Sequence, residues 1–263
     1  MVSLLDLPPE LVDSIIDLLR NDRKTLKCCC LASGLFVPRA QKHLFGTVIM
    51  NRNVGQRWNK TFPDRANPPA SAHARFLVVR SVRAVSIKDA EQSGWIRSFT
   101  KVVRLEVCDF AYRGPTPNGS LTPLSALSSV KFLRLSTAFV PPIEILTFIC
   151  SFPVLEDLDI KRCLWVDEDI KWSNTIEAPT QQPLTGTLTI QGTQLKIIAC
   201  LLLALKTGLR FRKIKLKVND PGELEAMVPL VEACSNTLEF IRIDTTFIGE
   251  PFVPANGLVS DMD

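Results

Sequence analysis

Apolar residues close to the amino terminus recur with the period of an amphipathic helix. The segment opens with Leu7-Pro8-Pro9-Glu10, and proline and glutamate both suit the first turn of a helix. Apolar side chains then follow at i, i+4 and i+8 spacings, at Leu11, Val12, Ile15, Ile16, Leu18 and Leu19. So wide an apolar stripe predicts a helix that serves two surfaces, one internal and one external.

Two further short helices are predicted directly after the first. Asn21-Asp22 interrupts the first helix and can cap a second one, in which Leu26, Cys29 and Cys30 share a face. Ser33-Gly34 ends that helix, and Pro38 is placed to start a third. The inward residues of the third helix are expected to be Val37, Ala40 and Leu44. The first part of the chain, residues 1–48, is therefore predicted to be a three-helix module.

A short pattern, apolar-x-x-apolar-x-apolar, recurs through the remainder of the chain. Successive copies lie between 20 and 30 residues apart, and the copy near 188 is weaker because Thr185 holds its first position. The central residues are Val85, Leu105, Leu133, Leu158, Leu188, Ile214 and Ile241. Alternation in each copy predicts a strand with one apolar face, and a repeat of this length predicts stacked strand units.

The segments between several of these strands have helical patterns. Helices are predicted at 142–151, at 194–207 with Gly208 as the residue that ends it, and at 222–234. Strands alternating with helices predict an α/β fold with a parallel sheet. The other interpretation is an ordinary doubly wound α/β domain, but neither GxGxxG nor GxxxxGK[ST] occurs.

Three segments have little periodicity and are expected to be loops. Residues 51–74 are rich in polar side chains and proline and are predicted to be a long loop or linker, and shorter loops are predicted at 113–123 and 177–183. The tail from residue 250 shows no capping element, so either the cap is poor or the chain is a shortened relative of a longer family. The predicted organisation is a helical module at 1–48, a linker with the start of the repeat region at 49–81, and the repeat domain at 82–263.

Residues between the apolar strand positions are expected to share the opposite face of the sheet. The middle of this face is acidic and its carboxyl-terminal part is basic, with three lysines in one strand. Because like charges at this spacing repel, an acidic partner would stabilise them. The predicted target-binding residues are Arg104, Glu106, Arg134, Asp157, Asp159, Lys213, Lys215, Lys217 and Arg242.

Composition narrows the classes of partner. The 263 residues are 46% hydrophobic, which suffices for a sizeable core, and carry a net charge of only +4. With one tyrosine, the chain is not expected to bind nucleic acid. Asp6 and Glu10 interrupt any signal-peptide core, and the longest apolar run, 197–205, is far shorter than the ~20 residues of a membrane span. A cytoplasmic or nuclear protein without a membrane partner is predicted.

Cysteine and histidine offer little support for an enzyme. None of the eight cysteines forms a Cys-x-x-Cys pair, and neighbours in the run Cys28-Cys29-Cys30 would point about 100° apart on a helix, which disfavours one shared metal. The two histidines, His43 and His73, are expected at packing or linker positions. A redox-sensitive thiol at Cys28 and a small hydrolase or thiol enzyme remain open as alternatives.

Carboxylates are also expected to be structural. Glu156, Asp157 and Asp159 lie close together in sequence, but a glycosidase would need two carboxyls facing one cleft. A solvated acidic face is the favoured interpretation. The sequence therefore predicts neither a catalytic site nor a cofactor nor a metal.

The amino-terminal module resembles an F-box, the helical module that docks receptors onto a Skp-type adaptor in cullin ubiquitin ligases. The resemblance rests on Leu7-Pro8-Pro9-Glu10-Leu11, Ile15-Ile16-x-x-Leu19, Leu26-x-x-Cys29-x-Leu31 and His43-Leu44-Phe45, and it is similar to fungal versions. Many F-boxes carry a basic residue and a tryptophan after the serine of the second helix, where this chain has Ser33-Gly34-Leu35-Phe36. The resemblance implies that the adaptor contacts are Leu7, Pro8, Pro9, Leu11, Ile15 and Ile16.

The repeat region resembles a degenerate leucine-rich-repeat solenoid, with the Leu-x-x-Leu-x-Leu consensus and with Cys108 and Cys163 at the position that follows it. Together the two resemblances imply the substrate-recognition subunit of an SCF-type (Skp–cullin–F-box) ubiquitin ligase. Its partners would be the Skp-type adaptor, through it a cullin, and a protein target held by the repeats. The alternative is a leucine-rich-repeat binding scaffold without ligase association.

Overall fold

The structure, a computed structural model, describes residues 7–62, 69–80, 94–111, 121–139, 142–162, 183–192, 194–205 and 208–245. Three helices come first: α1 (Pro9–Leu18), α2 (Arg23–Ala32) and α3 (Val37–Phe45). Proline occupies the first turn of α1 and α3, where no helical N–H bond is lost. Asp22 caps α2 by accepting hydrogen bonds from the backbone N–H groups of Lys24 and Thr25. The predicted three helices are confirmed.

The three helices enclose a small apolar cluster of their own. Its buried members are Val12, Ile16, Leu26, Ala40 and Leu44. Partly buried side chains surround it, among them Leu7, Leu19, Cys29, Cys30 and Phe36. Of the helices, α3 packs against both α1 and α2 and also contacts β1. The amino-terminal helices therefore have a core separate from that of the sheet that follows.

An eight-stranded sheet follows in the described part of the chain. The strands are β1 (Thr47–Met50), β2 (Phe76–Arg80), β3 (Arg104–Ala111), β4 (Phe132–Phe139), β5 (Asp157–Lys161), β6 (Leu184–Gln191), β7 (Leu209–Val218) and β8 (Phe240–Thr245). Every strand pairs in parallel with the next strand in sequence, so the spatial order is the sequence order. Such a sheet needs a crossover after each strand.

Helices form many of these crossovers. They are α4 (Arg52–Thr61), α5 (Pro69–His73), α6 (Pro142–Cys150), α7 (Leu195–Leu203) and α8 (Pro221–Ala233), with 3-10 helices at Gly94–Ser98 and Thr122–Ala126. Apolar residues of α6, α7 and α8 join the alternate apolar residues of the strands in one continuous core. Helices therefore cover one face of the sheet, and the other face carries the intervening side chains.

The prediction of an α/β fold with a parallel sheet is confirmed, and β3 to β8 lie where the repeated pattern placed strands. The prediction of a loop over 51–74 was wrong, because α4 and α5 lie there and β1 and β2 flank it. In β2, Leu77, Val78 and Val79 are all buried, so its sequence lacks the alternation that marks the later strands. The α7 helix is shorter than predicted and ends at Leu203, so Gly208 does not end it directly.

Some predictions fall outside the described residues. These are the repeat copy around Val85, most of the loop predicted at 113–123, the loop at 177–182, Cys163 and the tail from residue 250. Within the described residues, no helix has the length and apolar character that crossing a bilayer requires.

Candidate interaction surfaces

The apolar side chains of α1 divide between two faces of the helix. Val12 and Ile16 are buried in the helical core, whereas Leu11 is 52%, Ile15 37% and Leu18 85% exposed. The three exposed residues are spaced i, i+4 and i+7, which places them on one face of a helix. We call Leu11, Ile15 and Leu18 the outer face of α1. The predicted combination of an internal and an external apolar surface is confirmed.

The residues predicted to dock an adaptor therefore fall into two groups. Pro8, Pro9, Leu11 and Ile15 are exposed, and Leu7 is partly buried against the helical core. Ile16 lies inside that core and is only 2% exposed, so it cannot contact a partner while the helices remain folded. Leu18 was not among the predicted adaptor contacts, although its side chain is more exposed than those of Leu11 and Ile15. Its i, i+7 spacing from Leu11 is the sequence signal that places it on the same face.

A group of charged residues fixes α1 against α3. Arg39 donates from Nε and Nη2 to the two carboxylate oxygens of Asp17, and His43 Nε2 lies 2.6 Å from Asp17 Oδ1. The hydrogen bonds from Arg39 and then from His43 hold the pKa of Asp17 well below its usual range. The sequence pattern predicted only a packing role for His43, because its partner Asp17 lies 26 residues away in the chain.

On the sheet, the residues between apolar positions share one face, as predicted. The register aligns them in rows that cross the strands. One row contains Arg104, Phe132, Asp157, Thr187, Lys213 and Phe240, and the next contains Glu106, Arg134, Asp159, Thr189, Lys215 and Arg242. A third row contains Cys108, Ser136, Lys161, Gln191, Lys217 and Asp244. We call the face that carries these three rows the charged face of the sheet. All the predicted target-binding residues lie on it.

The centre of the charged face is internally paired. Arg134 Nε lies 2.8 Å from Asp159 Oδ2, and Arg134 Nη1 lies 3.8 Å from Glu106 Oε2. Lys161 Nζ lies 3.4 Å from the same oxygen of Asp159. The negative charge of Glu106 and Asp159, in the middle of this face, is therefore largely compensated by Arg134 and Lys161. The strand register brings Arg134 next to both carboxylates, which the sequence alone did not show.

The lysines of β7, near the carboxyl-terminal edge of the sheet, are not paired in this way. Lys213, Lys215 and Lys217 project from β7 at alternate positions, are exposed, and form no ion pair with a described residue. We call these three residues the lysine column. Next to it, Arg242 Nε lies 2.9 Å from Asp244 Oδ1. Asp244 lies in register with Lys217 but contacts Arg242, so the lysines of this face that lack an ion pair among the described residues are concentrated on β7.

A shallow depression of about 300 Å³ lies between the centre of the face and the lysine column. Its polar and aromatic lining comes from Arg104, Phe132, Arg134, Asp157, Asp159, Thr187, Thr189 and Lys215. Asp159 Oδ1 is buried there, and no described group donates a hydrogen bond to it. A buried carboxylate oxygen without a donor is energetically unfavourable.

The described cysteines differ in exposure. Cys28 and Cys200 are exposed, whereas Cys150 and Cys234 are buried. Burial raises the pKa of the Cys150 thiol to about 11. Burial and the neighbouring carboxylate of Glu106 raise the pKa of Cys108 to about 11 as well. In the part of the chain that the structure describes, His, Cys, Asp and Glu side chains form no group that could hold a metal ion.

Comparison with known proteins adds no relative: no family model, no curated protein and no solved structure matches the chain.

Proposed function

We propose that this chain is the substrate-recognition subunit of an SCF-type ubiquitin ligase. In this proposal the amino-terminal helices are an F-box-like module that docks a Skp-type adaptor, and the sheet region is a leucine-rich-repeat-like solenoid that holds a protein target. Catalysis belongs to other subunits, and the chain raises the effective concentration of the target near them.

The outer face of α1 carries the docking half of the proposal. Leu11, Ile15 and Leu18 are large apolar side chains that remain exposed although α1 has a well-formed inner face in the helical core. Apolar side chains grouped on one exposed face favour a protein interface, where a few such anchors supply most of the affinity. Phe36, where the family carries a tryptophan, packs against the helical core, which supports the resemblance there.

The strand order supports the target-holding half. Each parallel strand lies beside the strand that follows it in sequence, and helices of the crossovers join the core on one face only. Stacked repeats of this kind leave a broad uncovered face that is available for partners. Here that face is the charged face of the sheet, which carries the residues that the sequence assigned to target binding.

Binding of the chain to a purified Skp-type adaptor tests the docking half directly. We expect the wild-type chain to bind, and the double variant Leu11→Ala/Ile15→Ala to lose at least about tenfold in affinity, which corresponds to ~1.4 kcal/mol. The matched control is Leu203→Ala/Val228→Ala, which removes exposed apolar side chains from α7 and α8. Circular dichroism establishes that all three proteins are folded.

The outcomes separate the candidates. Binding that the α1 variant loses and the control retains supports the ligase assignment. A folded wild-type chain that does not bind the adaptor overturns it and leaves a repeat scaffold without ligase association. One observation favours that second candidate: Gly34, where many F-boxes carry a basic residue, has no side chain and meets open space. Gly34→Arg should therefore fit without a clash and strengthen adaptor binding if docking occurs through this module.

A further inference from the structure

No side chain of the lysine column forms an ion pair with a described residue, and Asp244 of β8, which lies in register with Lys217, contacts Arg242 instead. Arg134 and Arg242 each contact a carboxylate, and Arg104 lies over the Phe76 ring at 4.9 Å from its centroid. The three lysines are neighbours on one strand and repel one another. A partner that supplies negative charge at this place would remove that repulsion, so the column is suited to an acidic ligand.

The spacing of the column limits the shape of that ligand. Alternate residues of a strand lie about 6.6 Å apart along the strand. An extended peptide has its own alternate side chains at the same spacing, because its geometry is that of a strand. Acidic residues at every second position of such a segment would therefore meet Lys213, Lys215 and Lys217 one to one.

The neighbouring strand favours hydrogen bonding beside these charges. Thr187, Thr189 and Gln191 on β6 lie in register with Lys213, Lys215 and Lys217. Their uncharged hydroxyl and amide groups add donors and acceptors without bringing a carboxylate next to the lysines.

The narrowness of the basic surface distinguishes a protein segment from a nucleic acid. Glu106, Asp157, Asp159 and Asp244 lie on the same face, so the lysines that lack an ion pair with a described residue there are confined to β7. Nucleic-acid sites present a broader basic patch on a strongly basic domain, whereas this chain carries a net charge of only +4. The observations therefore favour an acidic peptide over a nucleic acid.

We propose that the lysine column binds an extended protein segment with acidic residues at alternate positions, along β7 and beside the depression. The inference rests on the proposed function in one respect only, namely that the bound segment belongs to the target of the ligase. Peptide binding requires no adaptor, so failure of adaptor docking and failure of this proposal are distinguishable.

Fluorescence anisotropy with the full chain tests the proposal. The probe is a short fluorescein-labelled peptide in which Glu and Thr alternate, and the comparison peptide has the same composition with all Glu residues in one block. We expect the alternating peptide to bind several-fold more tightly. The variant Lys213→Glu/Lys215→Glu/Lys217→Glu should weaken its binding by more than about tenfold, since charge reversal replaces attraction by repulsion.

The control variant Arg23→Glu/Lys24→Glu/Lys27→Glu makes the same change in net charge on α2 and should bind like the wild type. If the lysine variant does not fold, Lys213→Gln/Lys215→Gln/Lys217→Gln removes the charge without reversing it. Equal binding of the two peptides, equal weakening in the control, or unchanged binding in the lysine variant would each overturn the proposal. Tighter binding of a single-stranded oligonucleotide of equal charge would overturn it in favour of nucleic acid.

Discussion

Arg39 on α3 donates two hydrogen bonds, from Nε and Nη2, to the carboxylate of Asp17 on α1. His43, one turn further along α3, contacts the same carboxylate through Nε2. Two separate groups on α3 thus converge on a single side chain of α1. This contact fixes how the two helices meet and so fixes the direction in which the outer face of α1 points. The orientation of the exposed outer face of α1 depends in this way on the contact that Asp17 makes with α3.

Asp17→Asn should destabilise the helical module, most clearly near neutral pH. Arg39 and then His43 lower the pKa of Asp17 in the folded state. A lowered folded pKa gives stability that is fully present above the unfolded value near 4 and is lost as the pH falls toward the folded pKa. Urea unfolding followed by circular dichroism at several pH values should therefore show a shallower acid-induced loss in Asp17→Asn than in the wild type.

Asp13→Asn is the matched control, because Asp13 lies 3.7 Å from Arg39 in a single, more exposed contact. It should leave both the stability and its pH dependence almost unchanged. Parallel acid profiles for the wild type and Asp17→Asn would contradict the structural role assigned to Asp17.

Ile15 and Ile16 are adjacent residues with opposite exposure, so alanine substitutions at the two positions should differ in their effect on stability. Ile16→Ala removes a side chain from the core of the helices and should cost about 2–5 kcal/mol of unfolding free energy, whereas Ile15→Ala should cost under about 1 kcal/mol. Chemical denaturation measures both. Equal losses in the two variants would show that the two faces of α1 are not distinct in solution.

Gly186 is expected to tolerate no side chain. Its backbone is in the left-handed region, with φ +80°, and a Cβ atom placed there would lie 1.7 Å from the carbonyl oxygen of Glu156 on the loop before β5. Gly186→Ala should therefore cost more than the ~1–2 kcal/mol that left-handed backbone alone imposes on alanine. Thermal unfolding would show the loss directly.

Gly208→Ala serves as the control for backbone strain, since Gly208 has φ +76 but meets nothing within 4 Å. It should be clearly less destabilising than Gly186→Ala. Similar unfolding temperatures for the two variants would mean that the close approach of Glu156 is relieved by a shift of the backbone.

Thiol alkylation should report the difference between exposed and buried cysteines. Cys28 and Cys200 are exposed and should be labelled first by iodoacetamide at mildly alkaline pH. Cys150 is buried with a pKa raised to about 11, so the thiolate that reacts is scarce, and labelling should require unfolding. Peptide mapping by mass spectrometry resolves the sites. Rapid labelling of Cys150 in the native protein would contradict its position in the sheet core.

The amino-acid sequence determined the three helices and most of the sheet, because the signals involved are local. The starts of the three helices are marked by Pro9, Asp22 and Pro38, and these signals do not depend on the rest of the fold. Alternation around Leu105, Leu133, Leu158, Leu188, Ile214 and Ile241 marks strands with one apolar face. The shared face of the target-binding candidates followed from the same period of two, and the register confirmed it.

Only the tertiary structure decided which of these residues are exposed and which are buried or held in ion pairs. Ile15 and Ile16 are the same residue type on one helix, yet packing of α2 and α3 buries one and leaves the other exposed. Asp159 and Lys215 are both charged strand residues, but Arg134, from the neighbouring strand, pairs with the first and no described carboxylate pairs with the second. β1, β2, α4 and α5 escaped prediction because their burial comes from contacts distant in sequence, which a local pattern does not encode.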